Sequence, residues 1–232
     1  MTSRRLLAAI FVAGCLLGST AGSARAQNAE DQLGNWLIYN GTIRFTDHWS
    51  VFTEAQLRLW EVASNVNETL VRASAHYNFT PEVMIGMGYL RADTWPFEDG
   101  DRERVENRLY QQFGLWMDWN RTRFDHRYRV EERWLQESGN TRYSTRLRYR
   151  LQVTTPLNRQ SMERGAIFLN FYDEVFINFD ATRAFDQNRL YGAGGYQFTE
   201  LSNLQLGLLW QARTSEDFFR LQIFYTHNFD FR

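Results

Sequence analysis

Residues 143–153 constrain the fold more than any other part of this 232-residue chain. Tyr143, Thr145, Leu147, Tyr149, Leu151 and Val153 share one parity; Arg142, Ser144, Arg146, Arg148, Arg150 and Gln152 share the other. Successive strand side chains point to opposite faces, so the segment presents one apolar and one cationic face. An amphipathic helix needs apolar positions at intervals of three and four, and that pattern is missing. The period of two recurs over 34–45, 49–61, 69–79, 83–92, 105–118, 122–135, 165–178, 187–198, 203–212 and 217–231, giving eleven segments. Most exceed the usual strand length of about five or six residues. They match the roughly 9–11 residues that cross a bilayer at a tilt.

The connections form two sets. Stretches 46–48, 80–82, 120–121, 156–163 and 199–202 alternate along the chain with 62–67, 93–104, 137–140, 178–186 and 213–216. In an up-and-down meander the two sets lie at opposite ends. Pro81, Pro96 and Pro156 all fall in connections, as expected where each strand N–H is needed for a ladder. No linker or low-complexity stretch interrupts 27–232, which reads as one domain.

Two all-β architectures alternate in this way. A soluble sandwich or lipocalin-like barrel turns the apolar face inward, whereas an outer-membrane barrel turns it toward lipid. Strand length favours the membrane. So does the charge set: the 26 basic residues are all arginine, which suits enclosed or paired sites better than lysine. Aromatics gather near strand ends, with Phe45, Trp49, Phe79, Trp116, Trp119 and Phe124 by one set of turns and Trp60 and Trp134 by the other. Interfacial girdles have this layout, although Trp60 and Trp116 share the polar parity, where the other reading is a lumen plug. The expected fold is all-β, an antiparallel up-and-down transmembrane β-barrel of 10 to 12 strands. Eleven segments conflict with the even number found in bacterial single-chain barrels. Either 34–45 is not a full wall strand or one strand has been missed.

Residues 1–26 carry Arg4 and Arg5, an apolar run over 6–17 and Ala24-Arg25-Ala26. This is the layout of a cleaved secretory signal peptide, too short for a spanning helix. Val12-Ala13-Gly14-Cys15 resembles a lipoprotein processing site, but it lies early and a second cleavage signal follows it. From Gln27 onward there is no cysteine, which excludes a disulfide framework, a thiolate metal site and cysteine catalysis. The 23 arginines and 27 acids that remain leave a charge of −4, far from the basic profile of a nucleic-acid binder. The bacterial outer membrane of a Gram-negative cell is the expected location, with outer-membrane lipid and lipopolysaccharide as neighbours and a monomer as the assembly.

Several strings carry a family resemblance: Glu106-Asn107-Arg108-Leu109-Tyr110, His126-Arg127-Tyr128-Arg129-Val130-Glu131-Glu132-Arg133-Trp134, Arg146-Leu147-Arg148-Tyr149-Arg150, Tyr172-Asp173-Glu174 and Phe185-Asp186-Gln187-Asn188-Arg189-Leu190-Tyr191. They resemble those of a bacterial family catalogued as domain of unknown function 2490, over essentially the whole mature chain. The resemblance implies an outer-membrane β-barrel and no established activity.

The polar parity describes the barrel interior. Tight turns at 120–121 and 138–139 set two hairpin registers, placing Gln112 opposite Arg129, Gly114 opposite Arg127, Glu131 opposite Arg146, Arg129 opposite Arg148 and Arg127 opposite Arg150. If the 156–163 connection pairs Arg146 with Glu174, Arg148 faces Tyr172 and Arg150 faces Asn170. Arg146 then sits between two carboxylates, while Arg127, Arg129, Arg148 and Arg150 form a cluster with no acid directly across. Like charges in opposition are destabilising, and arginine does not shed its proton. The cluster is either a constriction that draws an anionic small solute or part of a plugged network with Glu106, Asp125, Glu131 and Glu174. Asn107-Arg108-Leu109-Tyr110 and Asn188-Arg189-Leu190-Tyr191 repeat one pattern. They place Arg108 and Arg189 at the same end, as a mouth filter or as duplicated hairpin chemistry.

Enzymatic chemistry has little support. His48 lies in a turn, His126 and His227 share the lipid parity, and His76 points to the polar face without a recognisable motif. Glu131 and Glu132 point to opposite faces and cannot act on one bond. Glu132 and Asp173 fall on the lipid parity, which expects them near the rims. No zinc or calcium spacing and no phosphate loop appears, so no cofactor is expected. Gly192, Gly194 and Gly195 relieve curvature or crowding. The acidic loop over 93–104 reads as solvated. The expected role is a narrow passive pore for anionic small solutes; the alternative is a closed structural or partner-binding barrel.

Overall fold

The computed structural model describes residues 33–97, 100–179, 184–214 and 217–232. The signal peptide expected over 1–26 lies outside these, as do Glu98 and Asp99 of the acidic loop. The strands are β1 (Gly34–Arg44), β2 (Trp49–Leu59), β3 (Val66–Thr80), β4 (Val83–Thr94), β5 (Arg104–Trp119), β6 (Thr122–Glu137), β7 (Asn140–Pro156), β8 (Ile167–Asn178), β9 (Phe185–Thr199), β10 (Ser202–Arg213), β11 (Asp217–His227) and the two-residue β12 (Phe229–Asp230). Each long strand pairs antiparallel with its chain neighbours, and β1 also pairs with β11, so the sheet closes into an all-β barrel. The two sets of connections lie at opposite ends, as their alternation predicts.

Eleven long strands form the wall, within the expected 10 to 12, but the even count is not met. Residues 34–44 form a full wall strand, with ladders to β2 and β11. In an odd meander the first and last strands run the same way, so the seam is parallel, from Gly34 opposite Arg220 to Asn40 opposite Thr226. Beyond it Asn228 Oδ1 accepts from the Thr42 N–H at 3.1 Å, and β12 resumes the ladder at Ile43 and Arg44. Arg232 then reaches Asp47 in the β1–β2 turn at 2.8 Å. The start of β1 and the end of β11 consequently lie at opposite ends of the barrel.

The distribution of side chains is inside-out for a soluble protein. Exposed large apolar residues such as Leu37, Val71, Met87, Phe113, Leu206 and Phe219 cover the outer surface, while Glu54, Glu106, Glu131, Arg146, Arg148 and Glu174 are buried within. Exposed apolar area on this scale marks a surface that meets something other than water. At the end carrying the 45–48 turn, Trp49, Tyr77 and Phe79 interlock with centroids 5.0 and 5.1 Å apart, and Trp119, Phe198 and Phe231 are exposed beside the turns of the same end. Trp116 lines the interior instead, and Trp60 sits at the opposite end, donating to the Trp95 carbonyl at 3.3 Å. Asp173 departs from the rim expectation: it is the seventh of twelve residues in β8. Its carboxylate accepts one hydrogen bond, from Asn188 Nδ2 of the adjacent strand at 2.6 Å.

Glycines admit bulky interior rings. A Cβ on Gly195 would collide with the Phe168 ring, while Gly194 has open space around its missing side chain. Crowding thus explains Gly195 and not Gly194. A Cβ on Gly88 would lie 2.6 Å from the Ala73 carbonyl oxygen and strike the buried Tyr110 ring. Backbone cannot yield there, so Gly88→Ala is expected to destabilise the barrel by about 1–3 kcal/mol, read as a lower urea midpoint in detergent.

Candidate functional site

Tight turns put the interior charges in place. Ser138 and Gly139 both take positive φ, 49° and 79°, the backbone of a type I′ hairpin whose twist matches its strands. Asn120 takes φ 55° in the other two-residue turn. The two registers follow as expected: Gln112 opposite Arg129, Gly114 opposite Arg127, and Glu131, Arg129 and Arg127 opposite Arg146, Arg148 and Arg150.

The third register differs. Arg146 faces Asn178, Arg148 faces Phe176 and Arg150 faces Glu174, a four-residue displacement from the expected pairing. The β7–β8 connection spans 157–166, with Leu157 N–H bonded to the Ile167 carbonyl at 2.7 Å and Asn158 bridging Gly165 and Ile167 at 3.0 and 2.7 Å. A loop of this length does not dictate register, and an even displacement preserves the inward face, so parity could not detect it.

The displacement changes the charge map. Glu131, with 0% of its surface exposed, receives Arg146 and Arg148 at 2.6 Å each. Glu174 receives Arg127 at 2.6 Å and Arg148 at 2.9 Å. Arg146 also reaches Asp186 at 2.8 Å. The expected acid-free cluster is therefore corrected: Arg127 and Arg148 hold carboxylates, because long guanidinium arms reach past their cross-strand partners. Arg129 donates to Gln112 Oε1 at 2.6 and 3.2 Å and lies over the Tyr110 ring at 4.3 Å, with Glu131 3.8 Å away. Arg108 bonds Glu106 at 2.6 Å. Arg150 and Arg189 make no hydrogen bond or ion pair within 4 Å among the described residues. They lie over rings instead, Arg150 over Tyr172 at 5.7 Å and Arg189 over Phe176 at 4.8 Å.

Two cavities occupy the interior. One, of about 400 Å³, reaches the end carrying the 138–139 turn, where Arg142 and Tyr143 are exposed, and is lined by twelve arginines and five carboxylates. The other, of about 330 Å³, lies toward the opposite end. Glu54, Arg72, Arg127, Arg150, Tyr172 and Phe224 line both and form the waist between them. Of the six candidate arginines, Arg108, Arg127, Arg148, Arg150 and Arg189 line the larger cavity, and Arg127, Arg129 and Arg150 the smaller.

Sequence reasoning missed the pairs on β2–β6: Arg58 with Glu68 at 2.6 Å, Arg72 with Glu54, and Arg133 with Glu106. All six residues sit on the inward parity, and extending the parity reading to β2 and β3 would have found four of them. His76 does face inward. Its Nε2 lies 2.8 Å from Ser74 Oγ and 2.9 Å from Gln112 Nε2. Among the described residues no carboxylate bonds it, so the pair lacks the orienting acid of a nucleophile–base arrangement.

The whole barrel supports one assignment. The model of the family described as a protein of unknown function (DUF2490) matches residues 33–222, which includes β1 to β10 and the first half of β11. The chain belongs to the DUF2490 family. No curated protein and no solved structure matches it. The DUF2490 match covers the arginine-lined interior from Trp36 to Gln222; the chemistry of that interior has to be argued from its own residues.

Proposed function

We propose that the protein is an outer-membrane barrel forming a narrow passive pore that favours anionic small solutes. The observation that carries this reading is the larger cavity: twelve arginines against five carboxylates, in a chain whose net charge is −1. Positive charge concentrated in a low-dielectric enclosure raises the local concentration of anions. The outer surface supports the membrane setting, since a closed ladder with an apolar exterior meets what lipid demands of a spanning sheet.

A second reading, a closed barrel that transports nothing, draws on the buried pairing of Glu131 and Glu174 with Arg127, Arg146 and Arg148. Single-channel recording of the refolded mature protein in planar bilayers, with reversal potential in a salt gradient, separates the two. Steady anion-selective steps are expected. Silence from protein verified as folded and inserted would remove the pore and leave the closed barrel.

A further inference from the structure

Arg150 and Arg189 flank Glu174 in one cross-strand row, yet the Glu174 carboxylate is held by Arg127 and Arg148. Both flanking side chains line the larger cavity, and their Nε atoms are enclosed without a partner among the described residues. One step along the strands, in the next inward row, Tyr172 and Tyr191 stack with centroids 4.8 Å apart, and Tyr191 meets Phe224 at 5.6 Å. Trp36, Ile38 and Leu209 extend this wall across the parallel seam. At the waist Arg150 and Tyr172 meet Arg189 from the larger cavity and Tyr191 from the smaller, so two guanidiniums without a carboxylate of their own stand beside a wall of rings, next to the paired Arg72 and Glu54.

Guanidinium does not titrate away, so its charge calls for an anion or water. A carboxylate answers with charge-assisted hydrogen bonds, and an apolar ring attached to it covers the aromatic wall. A sugar acid would also bring a carboxylate and an apolar face, but its hydroxyls need accessible polar partners. On this wall the Tyr172 hydroxyl already donates to Gln222 Oε1 at 3.4 Å and Asn170 Nδ2 to Gln205 Oε1 at 2.7 Å, while Tyr191 Oη is enclosed in the packing. We propose that the waist binds carboxylates carrying an apolar ring, with Arg150 and Arg189 taking the carboxylate and Tyr172, Tyr191 and Phe224 taking the ring. The cavity volumes, about 400 and 330 Å³, fall in the range of small-molecule sites, roughly 300–1,000 Å³. This deepens the proposed function and rests on reading the interior as an anion site.

The test uses phenylacetate, acetate and glucuronate on the refolded mature protein, with binding measured by calorimetry and conductance recorded separately. Phenylacetate is expected to bind about tenfold more tightly than either other anion, because it alone buries a ring. Arg189→Gln is expected to weaken phenylacetate about tenfold. Tyr191→Leu, which keeps bulk and removes the ring, is expected to weaken phenylacetate about threefold and leave acetate unchanged. Equal affinity for the three anions, with anion-selective current intact, overturns the ring site and spares the pore. Phenylacetate binding without conductance upholds the site and sinks the pore. No binding of any of the three overturns the site, and only the loss of anion-selective current with it overturns the anion reading.

Discussion

Glu131→Gln is expected to remove about 3–5 kcal/mol of stability, the cost of leaving buried cations without their counter-charge. Glu131 has none of its surface exposed and accepts from Arg146 Nε and Nη2 and from Arg148 Nη1. Removing its charge leaves Arg146 with Asp186 alone and Arg148 with a Glu174 that it shares with Arg127. Arg129→Gln, at an equally buried position with 2% exposure, is expected to cost about 1 kcal/mol or less. It loses the bond to Gln112 and the contact with Tyr110, but it also removes like-charge repulsion from Arg148 across the strands and from Arg127 two residues along its own strand. Urea unfolding in lipid vesicles, followed by tryptophan fluorescence, measures both. Comparable losses in the two variants would mean that Arg129 is as tightly bound into the network as the acid is.

The second large effect concerns selectivity. Replacing both Arg150 and Arg189 with Gln is expected to reduce chloride-over-potassium permeability about fivefold. That is the effect of roughly 1 kcal/mol, the scale for a unit charge acting at 4 Å through water. Because neither arginine holds a carboxylate among the described residues, the barrel should remain folded, with its unfolding midpoint close to that of the parent protein. Replacing Arg127 and Arg148 instead confounds the two readouts, since it frees Glu174 inside the wall and leaves Glu131 with one of its two close arginines. A reversal potential unchanged in the double variant would place the selectivity at other arginines of the larger cavity, such as Arg108 and Arg142.

Much of the wall was legible in the chain, and the reason is local. The alternation of Arg146, Arg148 and Arg150 with Leu147, Tyr149 and Leu151 assigns a face to every residue of β7, whatever surrounds the strand. The turns at Asn120 and at Ser138-Gly139 carry their registers in their own backbone angles. The candidate arginines were found because parity marks interior residues, and all six do point inward. Their roles were not legible. A guanidinium spans more than one strand spacing, so Arg127 of β6 passes β7 to reach Glu174 of β8, a contact absent from any neighbouring pair in the sequence. The same holds for the aromatic wall, where Trp36 and Ile38 of β1 stand beside Gln222 and Phe224 of β11 only through ring closure.

By itself, the sequence determined what short-range geometry controls: where the strand segments lie, their inward and outward faces, and the registers across two-residue turns. Only the tertiary structure decided closure through a parallel seam, the register across the 157–166 loop, and which arginines hold carboxylates. Those depend on distances between residues far apart in the chain, and a period of two is blind to an even displacement or to the reach of a long side chain.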